Sequence, residues 1–202
     1  MASDHSIPPF PPDIDRDAFG HWLSGFTDGE GCFCLKMVRR HTRIEVTPTA
    51  TFAIHLRADD EKILYLIQSF FGCGTVSYTR KARKSNRNPW PECRFHVGSI
   101  LNLTSKLIPH FDRYPLHAKK ARDFAIWKQG VFFIQSISLL PRTFPGRGHG
   151  GGSLARWSEE RKAHFLSLVS ALQETRQFAA LPVTLRGPPV RPATPSLFDG
   201  LS

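Results

Sequence analysis

Two carboxylates, Asp28 and Glu30, stand one residue apart at the foot of an apolar stretch, WLSGFTDGEGCFC, residues 22–34. Helical spacing of Phe19, Trp22, Leu23 and Phe26 makes this stretch the end of an amphipathic helix. The helix macrodipole disfavours negative charge at a helix C-terminus, so acids held there call for a cation beside them. Ser24 and Gly25 lie inside the same helix. A helical glycine costs about 1 kcal/mol relative to alanine, and is repaid only where another backbone must approach closely.

The rest of the chemistry-bearing inventory is blander. Cys32, Cys34, Cys73 and Cys93 form no CxxC pair, and the histidines show no converging spacing, so no zinc site is expected. Reduced thiols of an intracellular protein are the simpler reading. Lys and Arg number 27 against 17 Asp and Glu, a net charge of +10. That balance points to a polyanionic partner, nucleic acid first and an anionic membrane surface second. No run of 18 apolar residues is present, so no membrane span is expected. The start, MASDHSIPPFPPDID, lacks the apolar core of a secretory signal, and its acids argue against a cleaved organellar presequence. An intracellular protein, of bacterial cytoplasm or an organelle, is expected.

These residues need elements to position them. Residues 1–14 read as a flexible Pro-rich arm, and Asp13, Asp15 or Asp17 can cap the helix that follows. After Gly31 the apolar period changes to two. Phe33, Leu35 and Met37 share one strand face, and Cys32, Cys34, Lys36 and Val38 the other. A second strand, about 45–57, alternates Ala50, Phe52, Ile54 and Leu56 with Thr47, Thr49, Thr51, His55 and Arg57. One buried and one wet sheet face follow. Asp59 and Asp60 open another helix, which Gly72 and Gly74 close. Strands are expected at about 75–80 and 93–97, around a basic loop, RKARKSNRNPWP. Helices are expected over about 100–111 and 115–133, then a Gly/Pro-rich linker, a helix from Trp157 to Phe178 capped by Ser158, and a disordered tail. The division is an arm at 1–14, a main domain at 15–138, a linker at 139–153, a C-terminal helix at 154–180 and a tail at 181–202.

With these elements in place, Leu23 to Gly31 resembles, position by position, the motif of the LAGLIDADG homing endonucleases. The likeness continues through Phe52-Ala53-Ile54, the Asp59-Asp60 helix start, Phe71-Gly72-Cys73-Gly74, and Tyr114-Pro115-Leu116 followed by Lys119-Lys120, Asp123-Phe124 and Trp127. It spans about residues 18–135. The resemblance implies an α+β fold, an α-β-β-α-β-β-α unit whose saddle-shaped antiparallel sheet lies on DNA, here with a C-terminal helix added. One motif copy implies a homodimer, with Leu23, Ser24, Gly25 and Thr27 where the two motif helices meet.

It also implies a sequence-specific endonuclease that makes a staggered, metal-dependent double-strand break at a long pseudo-palindromic site, in homing of an intron. Glu30 falls at the metal carboxylate, with the Gly29 carbonyl as a second ligand for Mg²⁺ or Mn²⁺, and Asp28 in support of helix packing. Lys120, or its neighbour Lys119, falls at the family's basic residue at the start of the later helix, a cation placed to help the transition state near the scissile phosphate. Leu56 falls where a water-ordering Gln is common in the family. DNA contacts are expected on the wet face, at Lys36, Thr49, Thr51, His55, Arg57, Ser77 and Arg94, which can read base edges. The loop residues Arg39, Arg40, Arg43, Arg80, Lys81, Arg83 and Lys84 would grip phosphates. The alternatives on the same fold are a maturase acting on group I intron RNA and a DNA binder that no longer cuts.

Overall fold

Asp15 starts the first helix: its side chain accepts a hydrogen bond from the Ala18 amide at 2.6 Å. This cap supplies one of the four partnerless amides of a helix start. Helix α1 runs Arg16–Glu30 and passes directly into strand β1, Gly31–Arg39. Gly31 is required at that joint, because a Cβ there would lie 2.4 Å from Thr27 Cγ2 and 2.7 Å from the Thr27 carbonyl oxygen. The computed structural model describes residues 6–39, 46–78, 91–140 and 157–176, together with the following elements. These are β2, Val46–Arg57; a 3₁₀ turn, Ala58–Asp60; α2, Glu61–Phe71; β3, Thr75–Tyr78; and β4, Glu92–Val97. Then come α3, Ile100–Asn102; a π-helical turn, Leu103–Leu107; α4, Ile108–Arg113; α5, Lys120–Ser138; and α6, Glu159–Glu174.

The four strands form one antiparallel sheet in the order β1-β2-β4-β3. Its helix-facing side carries Phe33, Leu35, Ala50, Phe52, Ile54, Cys93, Phe95 and Val97, all buried. Phe33 anchors the core, with ring centroids 5.2 Å from Phe52, 5.4 Å from Phe111 and 5.1 Å from Trp127. Full burial of each such ring is worth roughly 1.5–3 kcal/mol. Helix α5 comes close to β1 because Gly130 has no side chain: a Cβ there would lie 2.6 Å from Leu35 Cδ1. At the far end of α2, Gly72 takes a left-handed backbone at φ 59°, the usual helix stop.

Two expectations are corrected. The Pro-rich arm is tied down by Phe10, whose ring lies 5.1 Å from Phe19 and 5.3 Å from Phe70. Helix α5 begins at Lys120 rather than near residue 115. The stretch before it is held extended by hydrogen bonds from the His117 and Ala118 amides to Asp28. The C-terminal helix docks on this chain's own core, through fully buried Phe165 and Leu172.

Candidate functional site

The foot of α1, the start of α5 and the exposed side of the sheet meet in one place. Asp28 Oδ2 accepts hydrogen bonds from the amides of His117 at 2.8 Å and Ala118 at 3.1 Å. That clamp fixes where α5 begins. Lys120, the first residue of α5, then sends its ammonium back to α1. Its Nζ donates to the carbonyl oxygens of Asp28 at 3.0 Å and Gly29 at 2.9 Å. The cation called for at this helix end is therefore a side chain of the same molecule. It neutralises the negative pole of α1 and the free carbonyls there.

Glu30 stands at the exposed end of the same turn, and among the described residues its carboxylate has no hydrogen-bond or ion-pair partner. Two further oxygens in the motif, Thr27 Oγ1 and Asp28 Oδ1, are buried without a hydrogen-bond partner in the described structure. Lys119 is exposed beside Lys120 and shares with Asp28, Cys32, Asp123 and Arg176 a cleft of about 480 Å³.

A magnesium ion takes oxygen ligands, needs only one or two carboxylates and keeps several waters. The Glu30 carboxylate and the second lone pair of the Gly29 carbonyl are donors of that kind. No group of three His, Cys, Asp or Glu that could hold an ion occurs among the described residues.

The exposed sheet side continues from the motif. Register aligns Cys32, Ala53, His96 and Thr75 in one row, and His55, Arg94 and Ser77 in the next. Lys36 lies opposite Thr49, and the Thr49 hydroxyl donates to the Lys36 carbonyl at 3.1 Å. Partial burial, and then the neighbouring Arg94 charge, hold the His55 imidazole below its usual range, with Glu92 opposing. His96 is lowered in the same way, by partial burial, Arg94, Lys36 and His55. Both rings are neutral near pH 7, able to donate and accept beside the fixed cations Lys36 and Arg94. Arg57 ends this side in a 2.5 Å ion pair with Asp59.

Most sequence-predicted residues come together here: Asp28, Gly29, Glu30, Lys119 and Lys120 at the motif, and Lys36, Thr49, Thr51, His55, Arg57, Ser77 and Arg94 on the sheet. Leu56 does not belong to this face. It sits opposite Cys93 and packs against the core, so it fills no water-ordering position. The side chain of Arg39 and residues Arg40, Arg43, Arg80, Lys81, Arg83 and Lys84 lie outside the described residues.

Of the four residues expected between motif helices, three turn inward. Leu23 and Thr27 are completely buried, and the Ser24 hydroxyl donates to the Tyr114 carbonyl at 2.7 Å within the same chain. Only Gly25 faces out, with no atom of the described residues within 4 Å of where its Cβ would be. The outward ridge of α1 is Trp22, Gly25, Phe26 and Gly29, and the Trp22 and Phe26 rings stack with centroids 4.9 Å apart. Sequence reading also passed over Cys32, Asp123 and Arg176 as site residues. Arg176 lies just past the C-terminal end of α6, and no local pattern announces its reach.

An acidic helix foot clamped to a lysine thus stands at the rim of an open four-stranded antiparallel sheet. The profile of the LAGLIDADG endonucleases matches residues 23–131, more than half of the chain, which therefore belongs to that family. An uncharacterised 50.9 kDa protein in ND4 intron 1 of Podospora anserina is 30% identical over 124 residues, 60% of this chain and 25% of that one. Probable intron-encoded endonuclease 2 of Neurospora crassa is 32% identical over 111 residues, 54% of this chain and 23% of that one. This chain thus spans about a quarter of the length of these two relatives. DNA endonuclease I-CvuI of Chlorella vulgaris is 30% identical over 129 residues, 60% of this chain and 65% of that one. Among solved structures, I-SmaMI bound to cleaved DNA superposes with a TM-score of 0.59 at 22% identity, over 84% of this chain and 50% of that one. The homing endonuclease I-TnaI superposes at 0.55 and 23% identity, over 81% of this chain and 97% of that one.

Proposed function

We propose that this chain is a divalent-metal-dependent DNA endonuclease that works as a homodimer and cuts both strands of a long pseudo-palindromic site, in the homing of an intron. The observation that carries the reading is the Lys120 ammonium held on the Asp28 and Gly29 carbonyls, in the same turn that bears the exposed Glu30 at the start of the sheet. Phosphodiester hydrolysis needs an activated water and a stabilised leaving oxygen, and a bound divalent ion supplies both. Glu30 and Gly29 would hold the ion. Lys120, already oriented by two carbonyls, places a positive charge where phosphate charge develops. Lys36, His55, Arg94 and Ser77 face the groove. Both neutral histidines read hydrogen-bond donors or acceptors, and Arg94 favours guanine.

The dimer reading rests on the outward ridge of α1. Among the described residues Gly25 has no close neighbour that would justify a helical glycine, while Trp22 is 41% exposed beside it. A second copy of α1 would supply that neighbour and cover the stacked rings. It would also bring two Glu30 side chains to one centre, and two-fold symmetry then dictates a pseudo-palindromic target. Intracellular action follows from a DNA target. No helix among the described residues is long and apolar enough to cross a membrane.

The test is selection from a randomised duplex library with purified protein and Mg²⁺, beside a chelator control. Discrete double-strand cuts at a pseudo-palindrome, absent with chelator, are expected. Duplex binding without cutting in either condition would leave a DNA binder instead. Failure to bind duplex at all, with retention of intron RNA, would transfer the assignment to a maturase.

A further inference from the structure

Helix α6 lies wholly beyond the segment matched by the family profile, yet its C-terminal end enters the cleft beside Lys120. Three contacts hold it there. Thr175 Oγ1 donates to Asp123 Oδ1 at 2.5 Å, and Arg176 Nε donates to Asp123 Oδ2 at 3.2 Å. Arg176 Nη2 donates to the Phe33 carbonyl on β1, the outermost strand of the sheet. Asp123 is almost fully buried, its side chain 8% exposed, whereas the Arg176 side chain remains 39% exposed. Two of the five guanidinium N–H groups are thereby used, and the rest of the group borders the cleft that Cys32 and Lys120 also line.

A carboxylate of that burial could have been paired with a lysine or with hydroxyls alone. An arginine fixed at one edge by carboxylate and carbonyl keeps its remaining donors in a rigid planar fork. That geometry matches phosphate oxygens and loses little entropy on meeting them. Asp123 lies one turn after Lys120 on α5 and so ties the position of Arg176 to that of the site lysine. We propose that Arg176 is a second phosphate-contacting cation of this cleft, supplied by α6 and aimed by Asp123. The proposal rests on the endonuclease reading and deepens it: the DNA strand passing the Glu30–Lys120 site would be gripped from the β1 edge as well as from the sheet.

The experiment is binding of a short random-sequence duplex across a salt series in chelator, where cutting cannot interfere. Each phosphate contact adds about 0.9 to the slope of log K against log salt. Arg176→Gln is expected to lower that slope by about 0.9 per bound subunit, and Arg176→Lys to retain it. Asp123→Asn, which frees Arg176 without removing its charge, is expected to keep the slope at or above the wild-type value. A wild-type slope in Arg176→Gln would overturn the proposal and leave Arg176 as a docking residue for α6. So would a slope lowered equally in Asp123→Asn, which also decides the matter should Arg176→Gln not fold. Wild-type protein that binds no duplex fails the endonuclease reading itself, before any variant is compared.

Discussion

Lys120 settles an electrostatic problem posed by its neighbours. Asp28, Gly29 and Glu30 crowd carbonyls and carboxylates at the negative pole of α1, and one ammonium spans two of those carbonyls. Asp28 meanwhile spends one oxygen on two amides, which makes it a positioning group and leaves Glu30 as the carboxylate facing out. A second residue-scale consequence lies behind the motif. His110 is 6% exposed and ringed by Phe70, Phe71, Phe111 and Tyr114, with centroids 4.7 to 5.4 Å away. Burial pushes its imidazole from 6.5 down to about 4. The unfolded chain therefore takes the proton first as pH falls, and the stability held above about pH 6.5 is lost progressively towards pH 4. The loss amounts to about 3 kcal/mol. Urea unfolding of wild type and His110→Gln across that range should show a flatter curve for the variant by about that amount. Parallel curves would mean the ring is not buried neutral.

Helix α1 has two working faces, and its sequence advertises both as apolar. Phe19, Trp22, Leu23 and Phe26 read as one stripe, but only Phe19 and Leu23 are buried; Phe26 is half-buried against the core, and Trp22 is left outside with Gly25. Gly25→Leu is expected to leave monomer stability unchanged or raised, since the site is open and glycine costs about 1 kcal/mol in a helix. The same change should shift sedimentation from dimer to monomer. A variant that stays dimeric would move the interface elsewhere. Strand parity was fully legible: Phe33, Leu35, Phe52 and Ile54 face inward as their alternation requires, and Lys36, His55 and Arg57 face out. Periodicity could not say which apolar residues of α1 serve the core, because the stripe is wider than one contact face. Nor could it place α6, whose Arg176 meets Phe33 across 143 residues of chain. Local pattern carries no record of such contacts. The motif named Glu30 and Lys120, while the bond between Lys120 and the motif carbonyls needed the fold.

At the scale of the whole molecule, a net charge of +10 and a sheet side bearing Lys36 and Arg94 give one face suited to a polyanion. The helices occupy the opposite side and bury the aromatic core, so the two sheet faces divide stability from recognition. Among the described residues no cluster closes a metal shell, so on the proposed reading the ion, the second subunit and the DNA complete the site together. The most direct measurement is cleavage of the selected duplex with Mg²⁺ by wild type and by Glu30→Gln at saturating protein. Wild type is expected to make double-strand cuts, and Glu30→Gln to cut at a rate lower by a factor of about 10³ or more with duplex binding retained, as loss of a group acting mainly in the transition state requires. Equal cleavage by Glu30→Gln would contradict that expectation, because the reaction would then not depend on the carboxylate around which the site is built.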